Sequence, residues 1–146
     1  MWRWHELLPL RNPANRITLG EGDSALLNAP RLASQAGVRE LFTKDESGQP
    51  TGTFKARGLA MAVSKAVELG VEAFVIPTAG NAGSALAAYA ARAGKRAFIF
   101  MPKDAPRVNQ LEVKMYGAEL ILVDGLIDEA GRQARELAEQ NGWFDE

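Results

Sequence analysis

A lysine opens a helical pattern in the stretch Pro50-Thr51-Gly52-Thr53-Phe54-Lys55-Ala56-Arg57-Gly58. Pro50 and Gly52 make a turn, and the apolar periodicity that follows predicts a helix starting at Lys55. A helix N-terminus carries roughly +0.5 elementary charge, so it disfavours an ammonium and prefers a carboxylate or phosphate. An amine held in that field, beside Arg57, loses its proton more readily and becomes nucleophilic. The alternative is a surface lysine whose stem snorkels to water.

A second group, Thr78-Ala79-Gly80-Asn81-Ala82-Gly83, lies where an apolar strand pattern gives way to an alanine-rich helix. In parallel sheets ligands bind at such strand-to-helix loops. The glycines let backbone approach a ligand, and the free N–H groups of the next helix suit a small carboxylate. Asn81 adds a donor and an acceptor. The alternative is that Gly80 and Asn81 only form the turn and N-cap of the junction. No P-loop and no dinucleotide fingerprint occurs. Lys103, at the end of the next strand, reads as solvated. A nucleophilic amine, a carboxylate cradle and an Asn beside it together match an enzyme that binds an aldehyde cofactor and an amino acid.

Composition narrows the chemistry further. With no cysteine and His5 as the lone histidine, Ser-His, Cys-His and most zinc arrangements are excluded. His5 reads as structural, in a terminal segment docked by its tryptophans. The 17 basic and 18 acidic residues are dispersed, leaving no footprint for nucleic acid or an anionic membrane. No run is long enough to span a bilayer and no signal peptide is visible, so a cytoplasmic protein is expected.

The elements that must position these groups follow a regular rhythm. Apolar runs centred on Val75, Phe98 and Ile121 recur 23 residues apart. Helical patterns fill the gaps and the segment after the third run. Near-continuous apolar strands alternating with helices predict an α/β fold, a three-layer αβα arrangement around a parallel sheet. The helix after Pro106 is expected to bury Val108, Leu111 and Met115. The last helix is expected to bury Ile127, Ala130, Ala134, Leu137 and Ala138. Residues 1–29 read as an arm with little regular structure; a short helix over 31–36 and a short strand over 40–44 follow. The rhythm stops on a helix, with the next strand missing, which suggests part of a larger fold.

The lysine stretch resembles the Pro-Thr-Gly-Ser-Phe-Lys-x-Arg-Gly motif of pyridoxal-phosphate enzymes of the tryptophan synthase β class (fold type II). Thr78 to Gly83 resembles that class's Ser/Thr-x-Gly-Asn loop. Leu19-Gly20-Glu21-Gly22, Ile99-Phe100-Met101-Pro102, Tyr116-Gly117-Ala118 and Gly142-Trp143-Phe144-Asp145 are most similar to threonine synthases within the class. The resemblance runs through essentially the whole chain.

It implies pyridoxal 5'-phosphate as cofactor and a small amino-acid substrate, O-phosphohomoserine, converted with water to threonine and phosphate. Lys55 would bond the cofactor aldehyde and shuttle protons. Phe54 and Asn81 would contact the cofactor, Asn81 at its 3-oxygen. Thr78, Ala79, Gly80, Asn81 and Ala82 would hold the substrate carboxylate. Residues 1–54 would belong with a large domain and residues 55–146 would form the small one. The full-length enzyme would be a homodimer whose cofactor-phosphate cradle lies in a second half outside this chain. Thr53, Ala56 and Ala82 depart from the threonine synthase pattern, as does Asp23-Ser24-Ala25-Leu26. Ala56 is more like the threonine/serine dehydratases, an alternative within the class. A truncated, catalytically silent α/β module is another.

Overall fold

The computed structural model describes residues 1–145. In chain order its elements are β1 (Leu26–Asn28), α1 (Pro30–Ala36), β2 (Phe42–Lys44), α2 (Lys55–Glu68), β3 (Ala73–Pro77), α3 (Asn81–Arg92), β4 (Arg96–Pro102), α4 (Arg107–Met115), β5 (Glu119–Val123), α5 (Ile127–Asn141) and β6 (Phe144–Asp145). Four strands form a parallel sheet in the order β5-β4-β3-β6, and β1 and β2 pair as a separate antiparallel ribbon.

Strand side chains alternate between faces, and β3 and β4 are buried on both, which is why they are apolar nearly throughout. Phe74, Ile76, Ile99 and Met101 pack under α2, α3 and α4. Val75, Phe98, Phe100 and Val123 pack against Ala130, Ala134 and Ala138 of α5. This is the expected three-layer α/β architecture. The 23-residue rhythm coincides with register at the first pair, where Val75 stands opposite Phe98. At the next pair Ile121 stands opposite Phe100 instead, a slip of two residues that keeps the same side chains on the same face.

Helix α3 is buried from Gly83 to Ala90 without a break. It lies between the sheet, α2, α4 and the N-terminal arm, and its small residues let these neighbours come close.

Several expectations are corrected. In α4 the buried positions are Asn109 and Val113, whereas Val108, Leu111 and Met115 face outward. The helix sits at the margin of the layer, so tertiary placement and not apolar spacing selects its inner face. In α5 Ile127 is about half exposed. The arm contains a strand, β1, that pairs with β2 and gives residues 26–28 regular structure. The strand expected to be missing begins at Phe144 and pairs with β3. Trp143 stacks on Phe98 just before it, ring centroids 4.4 Å apart. Trp2 docks as anticipated, but Trp4 is exposed.

The arm is held by side chains that satisfy its backbone. Ser64 accepts the Ile17 N–H at 2.9 Å, and Glu68 accepts those of Arg11 and Asn12 at 3.0 and 2.6 Å. Glu21 carries the deepest anchor. It is 5% exposed, has no ion pair among the described residues, and accepts from Tyr89 Oη (2.6 Å), Thr18 Oγ1 (2.9 Å), Leu19 N (3.0 Å) and Trp2 Nε1. Burial pushes its pKa up, but the donors, Tyr89 foremost, outweigh burial and leave it below the ordinary carboxylate value. Burial and the Glu21 contact push the Tyr89 hydroxyl well above its usual range.

Tyr89→Phe removes one donor from this buried carboxylate. A loss of about 1.5–3 kcal/mol is expected, the scale of a hydrogen bond to a charged group. Urea denaturation followed by tryptophan fluorescence should show it as a lower midpoint, with the Trp2 environment altered.

Candidate functional site

Lys55 is the first residue of α2. The turn Pro50–Gly52 leads into it and packs against α3. Thr51 in that turn has φ 60°, a left-handed conformation that costs a branched residue about 1–3 kcal/mol. The Thr53 hydroxyl accepts the Lys55 N–H at 3.1 Å and so satisfies one orphan amide of the helix start. The Lys55 ammonium is exposed, lies 5.0 Å from the Phe54 ring centroid, and has no hydrogen bond or ion pair among the described residues. Phe54 is itself 61% exposed.

Arg57 does not stand free beside the lysine. It turns back to Glu46 in a bidentate pair, Nε–Oε2 2.7 Å and Nη2–Oε1 2.9 Å, and also reaches Ser24 Oγ at 3.0 Å. Arg57 and then Ser24 hold the Glu46 carboxyl down to about 2. Gln49 adds a two-way clamp, accepting the Gly22 N–H at 2.8 Å and donating to the Gly22 carbonyl at 3.0 Å. These contacts tie the chain before Lys55 to the arm. The sequence carries no signal for them, since each joins residues at least 11 positions apart.

The loop from Thr78 connects β3 to α3. Thr78 is buried, its N–H donates to the Phe100 carbonyl at 2.9 Å, and its hydroxyl accepts the Gly80 N–H at 3.1 Å. Gly80 occupies the N-cap position with no side-chain cap. The backbone N–H groups of Ala79, Asn81 and Ala82 have no acceptor among the described residues. Three amide donors at one helix start form an anion cradle, where the macrodipole adds to them. Gly83 lets the first turn of α3 lie against the sheet. A Cβ there would sit 2.6 Å from Thr78 Cγ2, 2.8 Å from Ile99 Cγ2 and 2.9 Å from Met101 Cε.

Asn81 is not the N-cap. It is the first helical residue, and its Oδ1 accepts from Asn109 Nδ2 of α4 at 3.1 Å. That partner escaped the sequence reading, which had assigned α4 a different inner face. Lys103 is paired with Asp124 at 2.8 Å and supplies no free cation. The hydroxyl oxygens of Thr51 and Ser84 are buried without a hydrogen-bond partner among the described residues. Leaving such a hydroxyl without a hydrogen bond costs about 1–3 kcal/mol. A cleft of about 260 Å³ lies along the arm, lined by Trp2, His5, Leu8 and Leu10 among others, and includes none of these residues.

The family model described as pyridoxal-phosphate dependent enzyme matches residues 17–145. Threonine synthase of Methanocaldococcus jannaschii is 37% identical over 141 residues, covering 96% of this chain and 35% of the relative. Threonine synthase of Synechocystis is 42% identical over 135 residues, covering 90% of this chain and 35% of the relative. The solved structure of the processed form of threonine deaminase isoform 2 from Solanum lycopersicum superimposes with a TM-score of 0.74. It is 30% identical and covers 84% of this chain and 34% of that one. The chain thus spans about a third of the length of the curated relatives it matches.

Gly83→Ala should lower stability by about 1–3 kcal/mol in urea denaturation, because the added methyl must displace Thr78, Ile99 or Met101. The Glu46 pair gives a pH signature. Its folded-state pKa of about 2 lies below the ordinary 4.5, so its stabilisation is complete above 4.5 and fades as pH falls through 2. The stability gap between the wild type and Glu46→Gln should be constant at neutral pH and close on acidification across that window.

Proposed function

The chain belongs to the pyridoxal-phosphate dependent enzymes, and from that premise we propose that it is the N-terminal portion of a threonine synthase, acting on O-phosphohomoserine and water to give threonine and phosphate. One observation carries the reading. A lysine amine with no hydrogen bond or ion pair among the described residues opens α2, and amide donors with no acceptor among them open the adjacent α3. The curated relatives support the choice of reaction.

The residues present fit the group. Lys55 Nζ is free to bond an aldehyde carbon, and Phe54 beside it offers an apolar face. Asn81 Oδ1 accepts from Asn109, which leaves the Asn81 amide N–H groups available to an anionic oxygen of the cofactor. When bound, pyridoxal phosphate supplies an electron sink that makes carbon–hydrogen bonds of an amino acid acidic. Thr78 and the free N–H groups of Ala79, Asn81 and Ala82 bind the substrate carboxylate and so fix which bond faces the lysine. With the cofactor bound, Lys55 Nζ would take and return protons at the substrate's α and β carbons. Its exposed placement gives the amine room for this exchange.

On this reading residues 1–54 belong with a large domain, residues 55–146 form the small domain, and the cytoplasmic full-length enzyme is a homodimer. Ala56 favours one second reading, a threonine or serine dehydratase. It is fully buried in the core under α2, where a carboxylate would find no room in water.

Adding pyridoxal 5'-phosphate to the full-length protein should give the visible absorbance of lysine-bound cofactor, and Lys55→Ala should abolish it. A band unchanged in that variant would overturn the role of Lys55. Phosphate release from O-phosphohomoserine by the intact gene product, with no ammonia from threonine, separates the first reading from the second.

A further inference from the structure

Helix α4 turns two side chains inward, and one of them is an amide. Asn109 is 6% exposed and donates from Nδ2 to Asn81 Oδ1 at 3.1 Å, across 28 residues of chain. Burying an amide there is costly unless it is hydrogen-bonded, and Asn81 is its side-chain partner. An asparagine amide has an acceptor on one arm and two donors on the other. With the acceptor held by Asn109, the exposed Asn81 must present its N–H groups on the opposite side. Those donors join the unpaired N–H groups of Ala79, Asn81 and Ala82. A helix start lined only by donors accepts an anionic oxygen and rejects a cation.

We propose that Asn109 is a positioning residue: it fixes the rotation of the Asn81 amide so that Asn81 offers only donors to the site. The inference rests on the reading of Asn81 as a cofactor contact and deepens it. It also explains why α4 places Asn109 inward and leaves Val108, Leu111 and Met115 outward. Without this hold, the amide of Asn81 rotates between two faces, and half of its orientations present an acceptor to an anion.

Opposite substitutions test the rotation directly. An aspartate accepts only, so Asn109→Asp forces the Asn81 amide to turn and donate inward. A lysine donates only, so Asn109→Lys preserves the original rotation. Hydrogen exchange of the side-chain amides, read by ¹H–¹⁵N spectra of this chain, reports the outcome without any cofactor. In the wild type the Asn109 amide should exchange at least tenfold more slowly than that of Asn81. In Asn109→Asp the Asn81 amide should slow at least tenfold, and in Asn109→Lys it should stay fast. Protection of Asn81 in the wild type, or no change in a folded Asn109→Asp, overturns the proposal. Asn109→Leu, of similar size and neutral, serves if the aspartate variant does not fold. There the Asn81 amide should show averaged orientations in ¹⁵N relaxation, and a rigid amide sinks the idea. Titration of the full-length protein with pyridoxal 5'-phosphate then separates the two readings. A failure of the wild type to bind it counts against Asn81 as a cofactor contact while the exchange pattern still decides the role of Asn109. Binding weakened at least tenfold in Asn109→Asp and restored in Asn109→Lys supports both.

Discussion

A buried carboxylate without a cation holds this structure's parts in relation to one another. Glu21 survives as an anion in the interior because four donors surround it, one of them the hydroxyl of Tyr89 in the middle of α3. Removing such donors exposes the desolvation cost of the charge, which is larger than the net worth of any single hydrogen bond. The arm is therefore fixed to the helix that carries the amide cradle. From Glu21 the constraint passes along the chain: Gly22 is clamped by Gln49, Ser24 by Glu46 and Arg57, and the turn at Pro50 leads directly to Lys55. The lysine is thus placed relative to α3 through the arm as well as through α2.

The electrostatics around the two helix starts follow from the same arrangement. Arg57, nearest in sequence to Lys55, is neutralised by Glu46, and Lys103 by Asp124. With those cations paired, Lys55 is left with an aromatic neighbour and no counter-ion among the described residues. The start of α3 offers amides that have no acceptor among the described residues, fixed dipoles that need no reorganisation to meet an anion. Backbone strain at Thr51 and the buried, unpaired hydroxyls of Thr51 and Ser84 lie in the turn and the helix that frame this region.

The sheet was legible because strands buried on both faces must be apolar at every position, and Ala73 to Ile76, Ala97 to Met101 and Glu119 to Val123 nearly are. The glycine-marked junction at Thr78 to Gly83 was legible for a similar reason, since close approach to the sheet at Gly83 leaves no space for a Cβ. Helix α4 was not. Its buried side chains are Asn109 and Val113, and Val108, Leu111 and Met115 lie away from them, because a helix at the edge of a layer buries only a narrow stripe. The ribbon of β1 and β2 was half seen: strands of three residues carry too few side chains for an alternation to stand out.

What the sequence determined by itself was the α/β architecture, the lysine at the start of one helix and the glycine-marked loop at the start of another. Each depends on local pattern, that is, on strand hydrophobicity, turn residues and the unsatisfied amides that any helix start must have. Only the tertiary structure decided which way these groups face and what surrounds them. The pairing of Asn81 with Asn109, the turning of Arg57 toward Glu46, and the burial of Glu21 under Tyr89 each join residues remote in the chain. Hydrogen bonds across such distances depend on how helices pack against one another, and that packing is not encoded in the spacing of residues along any one of them.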